Sequence, residues 1–279
     1  MRLATLRTSR GTRAGLVSGK KVTELPFEDV GAVLRSGDSW QEAAAGSGPE
    51  VDFDDADLAP VVIAPSKIFC LGLNYRSHID ELGRDVPEHP TLFAKFAATL
   101  AGPRDPIPLP PESTAPDWEA ELAIVIGRRV RRVSAAEAGG AIAGYTIAND
   151  VSMRDWQWRT TQWLQGKAFE ATTPLGPLLV TPDELAADGA TPDLEIRCEV
   201  DGEVMQQART GDLLFGPAEV VAYISSIVTL EPGDVILTGT PGGIGAGREP
   251  KLSLQPGQVV RTAIEGIGEL VNRCYAEPR

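Results

Sequence analysis

Glu119 and Glu121 lie two residues apart in the apolar stretch Asp117-Trp118-Glu119-Ala120-Glu121-Leu122-Ala123-Ile124-Val125-Ile126, and Asp150 closes the next such stretch, Ile147-Ala148-Asn149-Asp150. Side chains at i and i+2 of a strand leave the same face, so the two glutamates stand close enough to repel each other. Burying such charge without a partner is prohibitive, and a bound hard cation is the natural resolution. Oxygen donors without histidine favour Mg²⁺, Mn²⁺ or Ca²⁺ over Zn²⁺. The bland alternative is a solvated strand edge. Against it, residues 120 and 122–126 are apolar on both faces, the pattern of a buried strand.

Other reactive types are sparse. The only histidines are His78 and His89, so there is no His-Glu-x-x-His helix and no three-histidine zinc site. In a helix, His78 and Glu81 would share a face at i and i+3, and a carboxylate against one ring nitrogen suits a general base. A surface ion pair is the competing reading. Lys95 and Lys167 are lysines set among apolar residues, for which snorkelling at the surface is the ordinary explanation. The glycine-rich run 238–247 lacks the lysine of a phosphate-binding P-loop and is not followed by an amphipathic helix. It reads equally as a wide turn or as backbone N–H groups offered to an oxyanion.

These groups must be positioned by strands. Segments 68–72, 122–126, 143–148, 178–180, 194–200 and 235–238 read as strands, and Asp201-Gly202 as a hairpin turn. Helices are expected over 135–143, with a capping box from Ser134 and Glu137, and over 217–227, entered by Pro217. Residues 1–64 read as a small N-terminal domain with short strands at 3–6 and 15–17, a helix at 30–34 and a loop at 43–49. Residues 65–279 are expected to form a second, larger domain that holds these groups. The 22 prolines and 29 glycines among 279 residues point to a β-rich α+β fold with many turns.

The net charge of −13 argues against a nucleic-acid partner. No apolar run is long enough to span a bilayer, and no signal peptide is evident at Met1–Arg7. Three cysteines, far apart, suggest structural thiols. The cytoplasm is the expected location.

Together these segments resemble the fumarylacetoacetate hydrolase family from Pro65 to Arg273. The matching motifs include Gly72-Leu73-Asn74-Tyr75 with His78 and Glu81, Phe93-Ala94-Lys95, Asp117-Trp118-Glu119-Ala120-Glu121, and Ala148-Asn149-Asp150. They continue with Arg154-Asp155-Trp156-Gln157, Gly166-Lys167-Ala168-Phe169 and Thr238-Gly239-Thr240-Pro241-Gly242. The resemblance implies a mixed β-roll, a homodimer, and one Mg²⁺ or Mn²⁺ held by Glu119, Glu121 and Asp150. It further implies small oxo-acid substrates and a role in the breakdown of aromatic compounds. Where many relatives carry proline after the lysine, this chain has Phe96.

On that basis the expected activity is Mg²⁺-dependent hydrolysis of the C–C bond of an acylpyruvate, fumarylpyruvate being one case. His78, oriented by Glu81, would activate the attacking water and Lys167 would support the pyruvate enolate. Lys95, Arg154, Gln157 and Thr240 are candidates for holding substrate, arginine being suited to a carboxylate. The rival expectation is an oxaloacetate decarboxylase or a hydroxymuconate-type isomerase/decarboxylase on the same scaffold. A metal-stabilised binding protein without turnover is a further alternative.

Overall fold

Alternating and continuous runs of β-branched and aliphatic residues make strand the predominant regular element among the described residues. A computed structural model describes residues 1–76, 85–186 and 191–278. Among them, eleven strands form one mixed sheet. Its centre is the antiparallel trio Thr173–Val180, Ile142–Asn149 and Ala120–Ile126, with every residue of the three buried. Continuous apolar runs of this kind belong to strands covered on both faces.

Beyond Ala120–Ile126 come Val235–Leu237, then Ile68–Gly72, parallel to it, then Thr91–Lys95. On the other side, Arg2–Thr8 pairs with Thr173–Val180, with Leu3 opposite Leu179, and leads out through Gly11–Ser18 and Lys21–Glu24. The N-terminal strands therefore extend the sheet that carries the glutamates. A second, five-stranded sheet contains Glu195–Val200, Glu203–Arg209, Val259–Ile264 and Gly268–Ala276, with Ile107–Leu109 at its edge. With a two-stranded pairing of Pro116–Asp117 and Ser152–Met153 and a few helices, these two large sheets make the expected α+β, β-rich architecture.

The central sheet separates two apolar clusters. Leu122, Ile124 and Ile126 point into one, while Ala123 and Val125 point into the other. The second cluster is closed by the N-terminal region, through Val30, Val33, Leu34, Trp40, Val61 and Val62. Glu119 and Glu121 continue the odd-numbered face of Ala123 and Val125, so the period-2 rule carries them onto that same side at the far end of the strand.

Local signals explain the helices. Val30–Leu34 starts at Asp29, whose carboxylate accepts from the Ala32 N–H at 2.6 Å. Pro217–Ile227 buries Val220, Val221 and Ile224, but Ile227 at its end is 57 % exposed and leaves the expected apolar face. The helix expected over 135–143 stops at Ala138, and a 3₁₀ turn covers Gly139–Ala141. Two consecutive glycines weaken the helix there, and Ile142 is taken up by strand pairing. The expected loop at 43–49 begins late, because the helix Trp40–Ala44 buries Trp40 and Ala44 four residues apart. No described helix is long and apolar enough to cross a membrane.

Candidate metal centre

Glu119 stands just before the strand Ala120–Ile126 and Glu121 within it. Asp150 follows the neighbouring strand, and the two segments are tied by the Asp150 N–H donating to the Glu119 carbonyl at 2.9 Å. One carboxylate oxygen from each of Glu119, Glu121 and Asp150 lies within 4.8 Å of the others, and all three residues are buried. The sequence spacing and the fold thus bring the three acids to one point.

Cations converge on them from elements far away in the chain. Lys167, at the end of the short helix Leu164–Lys167, places its Nζ 2.6 Å from Glu119 Oε2 and 2.7 Å from Asp150 Oδ2. Lys95, the last residue of its strand, reaches Asp150 Oδ1 at 2.5 Å. Arg154 Nη1 meets Glu119 Oε1 at 2.6 Å and Gln157 Oε1 at 2.8 Å, while its Nε donates to Asp117 at 2.8 Å. Both lysines are buried, so neither snorkels.

Glu121 is treated differently. Its Oε2 accepts the Gly239 N–H at 2.6 Å, and its Oε1 is buried with no hydrogen-bond partner among the described residues. Gly239 has φ +97°, a conformation that glycine adopts freely and that turns its N–H toward the acid. Burial pushes the Glu121 carboxyl well up from the usual carboxylate range, with the negative charges of Asp150 and Glu119 adding to the effect. Burial also raises Asp150, but Lys167 and Lys95 outweigh it and hold that carboxyl low. For Lys167, burial works against the charged form and is overcome by Asp150 and Glu119, so its pKa is raised.

A buried carboxylate oxygen without a donor is expensive, and a cation is what its lone pairs suit. The donor set fits a divalent ion: oxygen only, three acids, one oxygen unclaimed. Charge agrees. Among the described residues, Asp117, Glu119, Glu121 and Asp150 face Lys95, Lys167 and Arg154, leaving one negative charge over.

A cavity opens beside this cluster. Its polar side is made by Glu119, Arg154, Gln157, Lys167 and Thr240. Its apolar lining includes Phe93, Trp158, Trp163 and Ile244. Of the residues expected to hold substrate, Arg154, Gln157 and Thr240 line this cavity, whereas Lys95 lies behind Asp150 and braces it. Thr240 donates to the Ala120 carbonyl and accepts from Gln206, so its hydroxyl is committed to the protein and shapes the wall. His78 and Glu81 lie outside the described residues.

Asp117 was not among the expected site residues. It is fully buried and accepts from Arg154 Nε and from the N–H groups of Trp118, Gly245 and Ala246. It anchors both the arginine and the glycine-rich run. That run does offer N–H groups to oxyanions, and the oxyanions are the chain's own Glu121 and Asp117. Asp117 stands two residues before Glu119, so the spacing that singled out the glutamates also marks it.

Comparisons with known proteins bear on the chemistry. Residues 67–274 match the family model for the C-terminal region of fumarylacetoacetate (FAA) hydrolase. The mitochondrial oxaloacetate tautomerase Fahd2a of Rattus norvegicus is 45 % identical over 217 residues, covering 77 % of this chain and 68 % of that one. Oxaloacetate tautomerase FAHD2A of Bos taurus is 47 % identical over 218 residues, with 77 % and 68 % covered. A crystal structure of 5-carboxymethyl-2-hydroxymuconate delta-isomerase from Mycobacterium smegmatis superposes with a TM-score of 0.82 at 36 % identity, covering all of both chains.

These findings correct the expected activity. Relatives of this similarity are named as tautomerases and an isomerase, so the expectation of a metal-dependent hydrolase cleaving the C–C bond of an acylpyruvate is overturned. The physical reason is that carboxylates, cation and lysine serve any reaction passing through an enolate. Hydrolysis was distinguished only by the water-activating role given to His78 and Glu81, which spacing alone does not establish.

Proposed function

Because the chain belongs to the fumarylacetoacetate hydrolase family, we propose that it is a divalent-metal-dependent tautomerase interconverting the keto and enol forms of a small 2-oxo acid of the oxaloacetate type. The observation that carries this reading is the buried cluster of Glu119, Glu121 and Asp150, with an unclaimed Glu121 oxygen, opening beside a cavity that holds a buried arginine and lysine. Glu119, Glu121 and Asp150 would hold Mg²⁺ or Mn²⁺. When bound, the ion supplies Lewis acidity toward a carbonyl oxygen.

The remaining work falls to side chains of this chain. Tautomerisation moves one proton between the carbon next to the carbonyl and the enol oxygen; no C–C bond breaks and no water is consumed. Arg154 is fixed by Asp117, Glu119 and Gln157, and its Nη2 is buried with no partner among the described residues. A substrate carboxylate satisfies that donor, and a guanidinium is suited to it. Lys167, held as an ammonium by its two acids, places positive charge and a proton donor beside the cavity. A divalent ion turns the single excess negative charge of the cluster into an excess positive one, which suits an anionic substrate.

The test follows the enol absorbance of freshly dissolved oxaloacetate, with pyruvate assayed in parallel. Acceleration that needs Mg²⁺ or Mn²⁺, is removed by chelator and yields no pyruvate is the expected result. Pyruvate appearing as fast as enol is lost would replace tautomerisation with decarboxylation.

A further inference from the structure

The apolar side of the cavity is built, and a substrate as small and polar as oxaloacetate gives it nothing to do. The Trp163 indole abuts Gly72 with the edge of its six-membered ring, at the end of the strand Ile68–Gly72. A Cβ at position 72 would come within 2.2 Å of the indole, so only glycine admits the ring there. Phe93 meets Trp163 edge to face at 5.6 Å between centroids and an interplanar angle of 66°. Such pairs hold their rings in place. Lys167 Nζ lies 5.1 Å from the centre of the Phe93 ring, so this wall and the charged side of the cavity touch. At the mouth, Trp158 lines the same cavity and is 55 % exposed.

From this division we infer that the site takes 2-oxo acids carrying a flat apolar substituent on the carbon beside the carbonyl, and that Trp163 selects for that substituent. The inference rests on the tautomerase reading. The 2-oxo acid end belongs with Arg154 and the carboxylate cluster. A ring placed against Phe93, Trp158 and Trp163 buries apolar area against aromatic side chains already held in place, a gain that a second carboxylate, which would give up hydration there, does not make.

Phenylpyruvate is the probe. Its enol-to-keto conversion and that of oxaloacetate are measured with the Mn²⁺-loaded full chain, for wild type, Trp163→Ala and Trp158→Ala. The expected result is that phenylpyruvate is turned over and that Trp163→Ala lowers the ratio of kcat/KM for phenylpyruvate over oxaloacetate by about tenfold or more. Trp158, being half outside, should move the same ratio by about threefold, and its truncation leaves the interior intact. Turnover of oxaloacetate with none of phenylpyruvate, or a ratio unmoved in both variants, overturns the inference and leaves the tautomerase reading standing. If neither acid is turned over, that reading fails. Calorimetric binding of phenylpyruvate then decides the wall separately: binding weakened about tenfold in Trp163→Ala supports it, and absent or unchanged binding refutes it.

Discussion

At the start of the parallel pair Ile68–Gly72 and Val235–Leu237, Asp234 is fully buried and each of its oxygens is met twice. Oδ1 accepts from the Ser66 hydroxyl at 2.6 Å and the Lys67 N–H at 3.0 Å; Oδ2 accepts from the Glu231 N–H at 2.8 Å and faces Lys67 Nζ at 2.8 Å. At the other end of the same pair, Glu121 is equally buried, yet among the described residues it has one N–H on one oxygen and nothing on the other. Asp234 borders the sheet in which Glu121 lies, and solvent reaches neither. A saturated acid ties strand ends and loop together. An acid left with free lone pairs among other acids is built for something that the polypeptide does not supply.

Replacements at the two positions should therefore separate folding from metal binding. Glu121→Gln should lower Mn²⁺ affinity by more than about 100-fold, above what loss of an outer supporting partner produces, and tautomerase activity should fall with it; titration calorimetry and the enol assay check this. Asp234→Ala should cost about 2–3 kcal/mol of stability, since it strands buried N–H groups and the Lys67 cation. Its Mn²⁺ affinity should stay within about twofold of wild type. Urea unfolding without metal measures the first, and calorimetry the second.

Metal itself should sharpen the contrast. At a free concentration about 100 times the wild-type Kd, Mn²⁺ should stabilise wild type and Asp234→Ala by about 2.7 kcal/mol and Glu121→Gln by less than about 0.4 kcal/mol. A thermal shift that appears with metal and vanishes with chelator is the readout. Without metal, Glu121→Gln should be as stable as wild type or about 1 kcal/mol more so, because the amide removes a charge that burial opposes. Last and smallest, Glu269→Ala breaks the exposed pair with Arg261 and should change stability by less than about 1 kcal/mol, with no effect on metal.

What could be read from the sequence follows from range. Glu119, Glu121 and Asp150 were legible because strand periodicity is local and their neighbours are uniformly apolar. The helices Val30–Leu34 and Pro217–Ile227 were legible from apolar spacing and, for the second, its proline entry. Val259–Ile264 and Gly268–Ala276 went unread, since polar Thr262 and Asn272 point inward while Val271 and Tyr275 point outward, so neither an apolar run nor a clean apolar–polar alternation marks them. The convergence of Lys95, Arg154 and Lys167 on the acids was beyond any spacing rule. It depends on the crossing of Thr91–Lys95, Arg154–Gln157 and Leu164–Lys167 near one strand end. The chemical outcome was illegible for a related reason: an enolate-stabilising cluster is common ground for several reactions.

The most direct test of the central claim is a calorimetric titration of the metal-free chain with Mn²⁺, run beside Glu121→Gln. One ion per chain, with binding lost in the variant, is the result that the unclaimed Glu121 oxygen predicts. Equal binding by both proteins, or none by wild type, would contradict it and return Glu119, Glu121 and Asp150 to a purely structural ion-pair network.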